Sequence, residues 1–376
     1  MSYIKSIRLN NFRNYETASI SNIESGFVIL SGANGAGKTN LLEAISYISP
    51  GRGLRNAKIS DLQKAGYLNN SPSQPWGIST QVQTDFGEIK IGTGKNPQND
   101  RRLIKIQGEI VKSQALLSEY LSCIWITPQM DGLFRGGASD RRHFIDRLLL
   151  TYDPAHAGRT TRYENALRQR SKLLKDETKK PDPSWLKGLE LQMAETGVAI
   201  AAGRLDFLER LQMACMKNKG TAFPYAELSF KGIIENQLQN YAAVEVEDFF
   251  LKALEQSRGL DAIAGGASIG PHRTDLQVMY VEKNMEANQC STGEQKALLI
   301  GLILAHARLL LADQGRPPIL LLDEVAAHLD EHRRAVLFQI LKDMGNQVWM
   351  TGTDKHAFAS IDKQAQFYSV DDGIIN

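Results

Sequence analysis

Three short stretches of this 376-residue chain carry residue types whose spacing suits phosphate chemistry. Residues 32–39, Gly-Ala-Asn-Gly-Ala-Gly-Lys-Thr, fit the pattern of a glycine, four residues and Gly-Lys-Thr. In such a loop Gly32, Gly35 and Gly37 let the backbone curl so that its N–H groups face phosphate oxygens, and the helix that follows adds its positive end. Lys38 reaches the outer phosphates and the Thr39 hydroxyl is a Mg²⁺ ligand. Gly32, Ala33, Asn34, Gly35, Ala36, Gly37, Lys38, Thr39 and Asn40 are therefore candidate nucleotide-binding residues. The second stretch, "PPILLLDE" (317–324), is an apolar run ending in two acids. A buried strand there would deliver Asp323 to the Mg²⁺ shell and leave Glu324 placed to act as general base toward water. The third, "CSTGEQKALLIGLILAHARLLL" (290–311), opens with Ser291 and, three residues on, Glu294. That pair is a capping box, which is a sufficient structural reason for its presence.

Elements must hold these residues. Phe27–Leu30 is a short apolar run of strand type before the glycine loop, and Leu41, Leu42, Ala44 and Ile45 continue with helical spacing after it. Tyr3–Leu9 and Thr17–Ile20 read as further strands, and residues 77–107 alternate polar and apolar positions as an antiparallel meander does. From about Ser113 to Arg258 the texture is mainly helical. Two long helices flank the break "TKKPDP" (178–183), which predicts an antiparallel hairpin over about 155–215 with arms of roughly 25–30 residues, or about 40 Å. After Leu260 strand-and-helix texture returns. The expected fold class is α/β: strand-and-helix texture with a mixed sheet over residues 1–112 and 259–376, which carry the phosphate motifs, and a mainly helical second lobe over 113–258.

Composition adds bounds. A hydrophobic content of 42% and a charged content of 23% are ordinary for a globular protein, and a net charge of +2 favours no partner. Cys123, Cys215 and Cys290 are odd in number and widely spaced, as in a reducing compartment. The N-terminus has no apolar core of signal-peptide length, and the run Ala297–Leu304 is too short to span a membrane, so a cytoplasmic location with no membrane partner is expected. Locally, residues 135–180 hold 12 Lys/Arg against 6 Asp/Glu. Such an excess suits either a solvated helix face or a polyanion.

The distant motifs resemble those of ATP-binding-cassette ATPases. "VAAHLD" (325–330) resembles the D-loop, with Asp330 as its acid. "CSTGEQ" resembles the signature usually written Leu-Ser-Gly-Gly-Gln, with Cys290, Thr292 and Glu294 as departures. In that family Ser291 and Gly293 would bind the γ-phosphate of a nucleotide held by the other protomer. Gln129 lies where a Q-loop, a nucleotide and Mg²⁺ contact, is expected. Cassette transporters carry a switch histidine where this chain reads "VWMTGTD" (348–354), which leaves Thr351, Thr353 or Asp354 as the γ-phosphate sensor.

Four stretches narrow the resemblance further: "IRLNNFRNYE" (7–16), "TPQMDGLFRGGASDRRHFIDRLL" (127–149), "GPHRTDL" (270–276) and the cassette motifs together. They resemble the RecF family of bacterial recombination-repair proteins, within the SMC/Rad50-like group, from end to end. Thr274 departs from the acid expected there. The resemblance implies a two-lobed, weak DNA-stimulated ATPase using ATP and Mg²⁺, with Glu324 and Lys38 as catalytic residues. It also implies an ATP-dependent homodimer that clamps double-stranded or gapped DNA and, with RecR and RecO, helps RecA to load. Arg141, Arg142, Arg101 and Arg102 are then candidates for DNA contact. Arg141 and Arg142 are equally suited to pairing with Asp146 or the hairpin. A transporter subunit is the weaker alternative for want of the histidine. Other SMC/Rad50-like proteins interrupt the ATPase with a far longer coiled coil.

Overall fold

The computed structural model describes residues 2–64, 75–176 and 182–376. The chain separates into two compact units: Met1–Asp131 with Thr221–Phe223 and Ile303–Asn376, and Gly132–Gly220 with Pro224–Leu302.

The first unit holds two sheets. β1 (Tyr3–Phe12) and β2 (Tyr15–Ile20) form a hairpin, and β1 also pairs antiparallel with β4 (Gly77–Thr84). β5 (Gly87–Lys95), β6 (Arg102–Ile106) and β7 (Glu109–Ile110) continue that sheet in the order β2-β1-β4-β5-β6-β7. Burial alternates along β4, which is why its sequence alternates. The second sheet runs β15-β14-β3-β13-β12-β8. Its strands are β3 (Phe27–Ser31), β8 (Cys123–Ile126), β12 (Ile319–Leu322), β13 (Val348–Gly352), β14 (Ala365–Asp371) and β15 (Ile374–Ile375), all parallel except the β14–β15 pair. Every residue of β3, β8, β12 and β13 is buried, so these strands read as unbroken apolar runs. Helices α1 (Lys38–Ser46) and α8 (Glu331–Met344) follow β3 and β12.

The second unit begins with α2 (Ala138–Tyr152), α3 (His156–Lys175) and α4 (Pro183–Met216). α3 and α4 are the expected hairpin, but its arms are unequal, 20 and 34 residues, because α4 runs on to Met216. Asp182 caps α4 by accepting from the Ser184 N–H at 2.8 Å, with Pro183 in the first turn. The expected break at 178–183 lies partly outside the described residues. α5 (Ile233–Leu238) and α6 (Ala243–Ala264) pack with the hairpin around Tyr163, Met193, Val198, Ile234 and Phe250. A three-stranded sheet, β9 (Ala226–Lys231), β10 (Asp275–Tyr280) and β11 (Met285–Glu286), completes the unit. α7 (Thr292–Gln314) begins in the second unit and ends in the first. It is long and apolar enough to cross a membrane, yet 72% of its apolar window is buried inside the protein.

The hairpin interior is polar as well as apolar. Arg170, fully buried, donates from Nε to Glu190 Oε1 at 2.9 Å, from Nη1 to Asp261 Oδ2 at 2.8 Å and from Nη2 to the Leu254 carbonyl at 2.6 Å. Arg204 holds Asp146 through two bonds of 2.8 and 2.7 Å.

These units differ from the expected 1–112/259–376 and 113–258 division. The boundaries fall at 131/132 and 302/303. β8 pairs with the strand β12, which draws residues 113–131 into the first unit. β10 pairs with β9, which keeps 259–302 in the second.

Candidate nucleotide-binding site

The glycine loop leaves β3 and enters α1, as its spacing predicts. Two glycines have no substitute. A Cβ on Gly32 would fall 2.1 Å from the Val370 carbonyl oxygen, and one on Gly37, at φ +120°, would fall 2.6 Å from Asn14 Nδ2. The tip, Ala33, Asn34 and Gly35, is exposed, whereas Ala36, Gly37 and Lys38 are buried. Lys38 Nζ donates to the carbonyls of Gly32 at 2.7 Å and Ala33 at 2.8 Å. Burial lowers its pKa, and Glu324 and Asp323 oppose that shift. The ammonium therefore rests against the loop's own carbonyls and gains from an anion beside it.

Thr39 Oγ1 lies 3.0 and 2.9 Å from the two carboxylate oxygens of Asp323, at the end of β12. Residues 284 positions apart in sequence thus meet at one sheet edge. Between their strands lies β13, and it contributes Thr351. The buried Thr351 hydroxyl donates to Asp323 Oδ1 at 2.7 Å and accepts from the Glu324 N–H at 2.8 Å. Glu324 itself sits at φ +55°, a left-handed conformation uncommon for a residue with a side chain. Burial raises the Asp323 pKa, while the bonds from Thr351 and Thr39 work the other way.

The structure thereby separates the three sensor candidates. Thr351 is engaged with both acids. Thr353 is exposed, and Asp354 caps the turn that follows by accepting from the His356 N–H at 2.8 Å. Gln129 is exposed in the turn after β8, the strand next to β12. Asp330 caps α8 by accepting from the Arg333 N–H at 2.8 Å.

In the second unit Ser291 and Glu294 form the expected capping box. The Ser291 N–H donates to Glu294 Oε2 at 2.8 Å and the Glu294 N–H to Ser291 Oγ at 3.4 Å. Ser291 and Gly293 are exposed, and among the described residues nothing outside its chain neighbours and helix backbone lies within 4 Å of where a Gly293 Cβ would be.

The site also has walls that motif spacing does not reveal. Asn14, in the β1–β2 turn, donates to the Ala36 carbonyl at 3.1 Å and accepts from Asn40 Nδ2 at 2.7 Å. Arg13 grips the buried Glu43 of α1 through bonds of 2.9 and 2.7 Å, and Arg55 reaches both Glu43 and Asn40 at 2.7 Å. The Asn40 side chain therefore braces the loop. The polar turn "RN" inside a strand hairpin was the only sequence signal for Arg13 and Asn14.

Comparison with known proteins identifies the family of the whole chain. The family described as "RecF/RecN/SMC N terminal domain" matches residues 3–376. The "DNA replication and repair protein RecF" of Allorhizobium ampelinum is 46% identical over 375 residues, covering 99% of this chain and 98% of that one. The protein of the same description from Mesorhizobium japonicum is 45% identical over 377 residues, with 100% and 97% covered. The chain belongs to the RecF family. Its fold agrees: a solved "recombination mediator protein RecF-ATPrS in RecFOR pathway" superposes with a TM-score of 0.86 at 25% identity, covering 100% of this chain and 98% of that one. An Smc head domain from Pyrococcus furiosus shares the fold at a TM-score of 0.55 and 17% identity, with 100% and 96% covered.

The family's arginines fall differently from expectation. Arg141 donates to both carboxylate oxygens of Asp275, at 2.7 and 2.9 Å, and to the Phe134 and Gly136 carbonyls. Arg142 donates to the Thr274 carbonyl at 2.7 Å. Asp146, the partner proposed for them, is taken by Arg204. Arg102 lies over the Tyr47 ring, 5.3 Å from its centroid, and bonds to Thr93 Oγ1 and to the Tyr47 and Gly51 carbonyls. The planar forks of Arg141 and Arg102 are thus filled by groups of the same unit. Arg101 alone among the four is exposed. Thr274, the departure from the family's acid, donates to Glu235 at 2.8 Å; an acid there would face a buried carboxylate.

Proposed function

We propose that this chain is an ATP-dependent DNA-binding ATPase of recombinational repair, acting as a recombination mediator. The observation that carries the reading is the contact of Thr39 with Asp323, buttressed by Thr351, at the end of a parallel sheet. It joins a phosphate-binding loop to an acid pair.

The chemistry follows from the residues. Loop amides and the α1 N-terminus receive the phosphates. Lys38 exchanges two carbonyls for phosphate oxygens and compensates charge on the γ-phosphoryl group. Glu324, its backbone held by Thr351, takes a proton from a water whose oxygen attacks the γ-phosphorus; the bond to the bridging oxygen breaks, releasing ADP and phosphate. A hydroxyl and a buried carboxylate, both hard oxygen donors, fit Mg²⁺, with Thr39 and Asp323 as the residues that would hold it and Gln129 as a further one. That ion would neutralise charge on the β- and γ-phosphates.

Two protomers then share two ATP molecules. Ser291 and Gly293, exposed at the start of α7, meet the γ-phosphate held by the partner subunit, with Asp330 at the same interface. ATP stabilises this dimer by mass action and hydrolysis removes the bridge. The dimer clamps duplex DNA near gaps, and with RecR and RecO it promotes RecA loading in the cytoplasm.

The test uses Glu324→Gln, which binds ATP without hydrolysing it. With ATP it is expected to double in mass by light scattering and to be retained on gapped duplex. ATP binding with neither dimer nor retention would remove the repair reading and leave only a cassette-type nucleotide site.

A further inference from the structure

With Arg141 and Arg102 engaged inside the fold, a different set of cations faces solvent. The second unit has an open cavity of about 750 Å³ lined by Arg168, Lys172 and Lys175 of α3, by Arg273 and by the Gly265–Ala267 turn that ends α6. All four cations are exposed. Positions 168, 172 and 175 lie on one helix face, at i, i+4 and i+7. Arg273 comes from the stretch Gly270–Arg273, whose structure explains its placement. Its Nε donates to the Ala267 carbonyl at 3.1 Å, which fixes the guanidinium and leaves both terminal nitrogens without a partner among the described residues.

Among the described residues the cations of the lining outnumber its carboxylates. Asp176 is the one carboxylate on the lining. The buried acids of this unit are committed elsewhere: Asp261 to Arg170, Ser257 and the Ser268 N–H, Glu190 to Arg170 and Arg258. Arg168 donates to the exposed Asn165 side chain and has an exposed contact with Glu164 at 3.8 Å, an ion pair that contributes little. His272 adds no charge at neutral pH, because burial lowers its pKa to about 4. Attraction to the α3 C-terminus accounts for Lys172 and Lys175. It does not account for Arg168, two turns earlier, or for Arg273 on another segment.

We propose that this cavity seats the phosphodiester backbone of the DNA, resting on the DNA-binding reading given above. The stripe from 168 to 175 is about 10 Å long at 1.5 Å per residue, which matches about three phosphates of one strand at 3.4 Å of axial rise each. A free phosphate would occupy a fraction of it. Such contacts orient the duplex without reading its sequence.

The test is the triple variant Arg168→Gln, Lys172→Gln, Lys175→Gln in the full chain, with ATP and Mg²⁺, on gapped duplex over a salt series. These side chains are exposed, so folding and ATP-driven dimerisation are expected to match the parent chain. The slope of log affinity against log salt is expected to fall by about 2–3, at roughly 0.9 per lost phosphate contact. An unchanged slope, with the parent chain binding DNA normally, overturns the cavity and leaves the DNA reading intact. A parent chain that binds no DNA under any condition overturns the DNA reading itself. Displacement of DNA by polyglutamate as readily as by unlabelled duplex would overturn the assignment to phosphate.

Discussion

Thr351→Val deletes one hydroxyl and keeps the side-chain shape. Thr351 is 1% exposed, so no water replaces what is lost. Two bonds disappear: the donor to Asp323 at 2.7 Å and the acceptor for the Glu324 N–H at 2.8 Å. Leaving a buried amide unsatisfied costs about 1–3 kcal/mol, and a bond to a charged acceptor contributes about 1.5–3 kcal/mol. Both losses fall on the two acids, one of them on a left-handed backbone. With about 2–3 kcal/mol of that loss appearing in the hydrolytic step, kcat falls about 30- to 150-fold, at tenfold per 1.36 kcal/mol. Lys38 and the loop amides are untouched, so affinity for ATP measured with a fluorescent analogue is expected to stay within about threefold. Thr351→Ser keeps the hydroxyl and is expected to recover most of kcat. The assay is phosphate release at saturating ATP beside equilibrium nucleotide binding. A Val variant with the parent kcat would refute the reasoning, as would a Ser variant as impaired as Val, since then the methyl and not the hydroxyl matters.

Arg170→Met removes the cation shared by Glu190 and Asp261 and strands buried carboxylates, so urea unfolding is expected to show a loss of about 3–5 kcal/mol; a loss under about 1 kcal/mol would mean that the network is replaceable by packing. His272 donates to the Ala267 carbonyl and accepts from the Tyr163 hydroxyl, and burial lowers its pKa to about 4. The unfolded chain, with a pKa near 6.5, binds the proton more tightly, so this group's stability is complete above about 6.5 and is lost as pH falls toward 4, by no more than about 3 kcal/mol. His272→Gln is expected to flatten the dependence of unfolding free energy on pH between 7 and 5; identical slopes in the two proteins would count against it. Ser291→Arg fills the open start of α7, so monomers are expected to bind ATP normally yet fail to dimerise, and a normal ATP-driven mass increase would exclude contact in trans.

What was legible in the chain divides by the range of the constraint. The loop at 32–39 declares itself because strand, glycines, Lys38 and Thr39 are contiguous and each has a local reason to be there. The acids at 323–324 close an apolar run that only a buried parallel strand needs, and Ser291 with Glu294 states its own capping geometry. β8 escaped notice because four apolar residues, "CIWI", do not distinguish a strand from a turn of buried helix; only its pairing with β12 does. The domain boundary moved with it. Arg141 shows the limit most clearly. Its partner, Asp275, lies 134 residues on, and no spacing rule joins the two. The basic excess of residues 135–180 was real, yet it sorts only by position in the fold: Arg141, Arg159 and Arg170 point to acids of their own unit, while Arg168, Lys172 and Lys175 point to none that is buried. A cation contributes to binding a polyanion only when the fold has not already neutralised it. A count of charges along the chain therefore does not separate cations already held by acceptors of the fold, such as Arg141, from those that face solvent on α3.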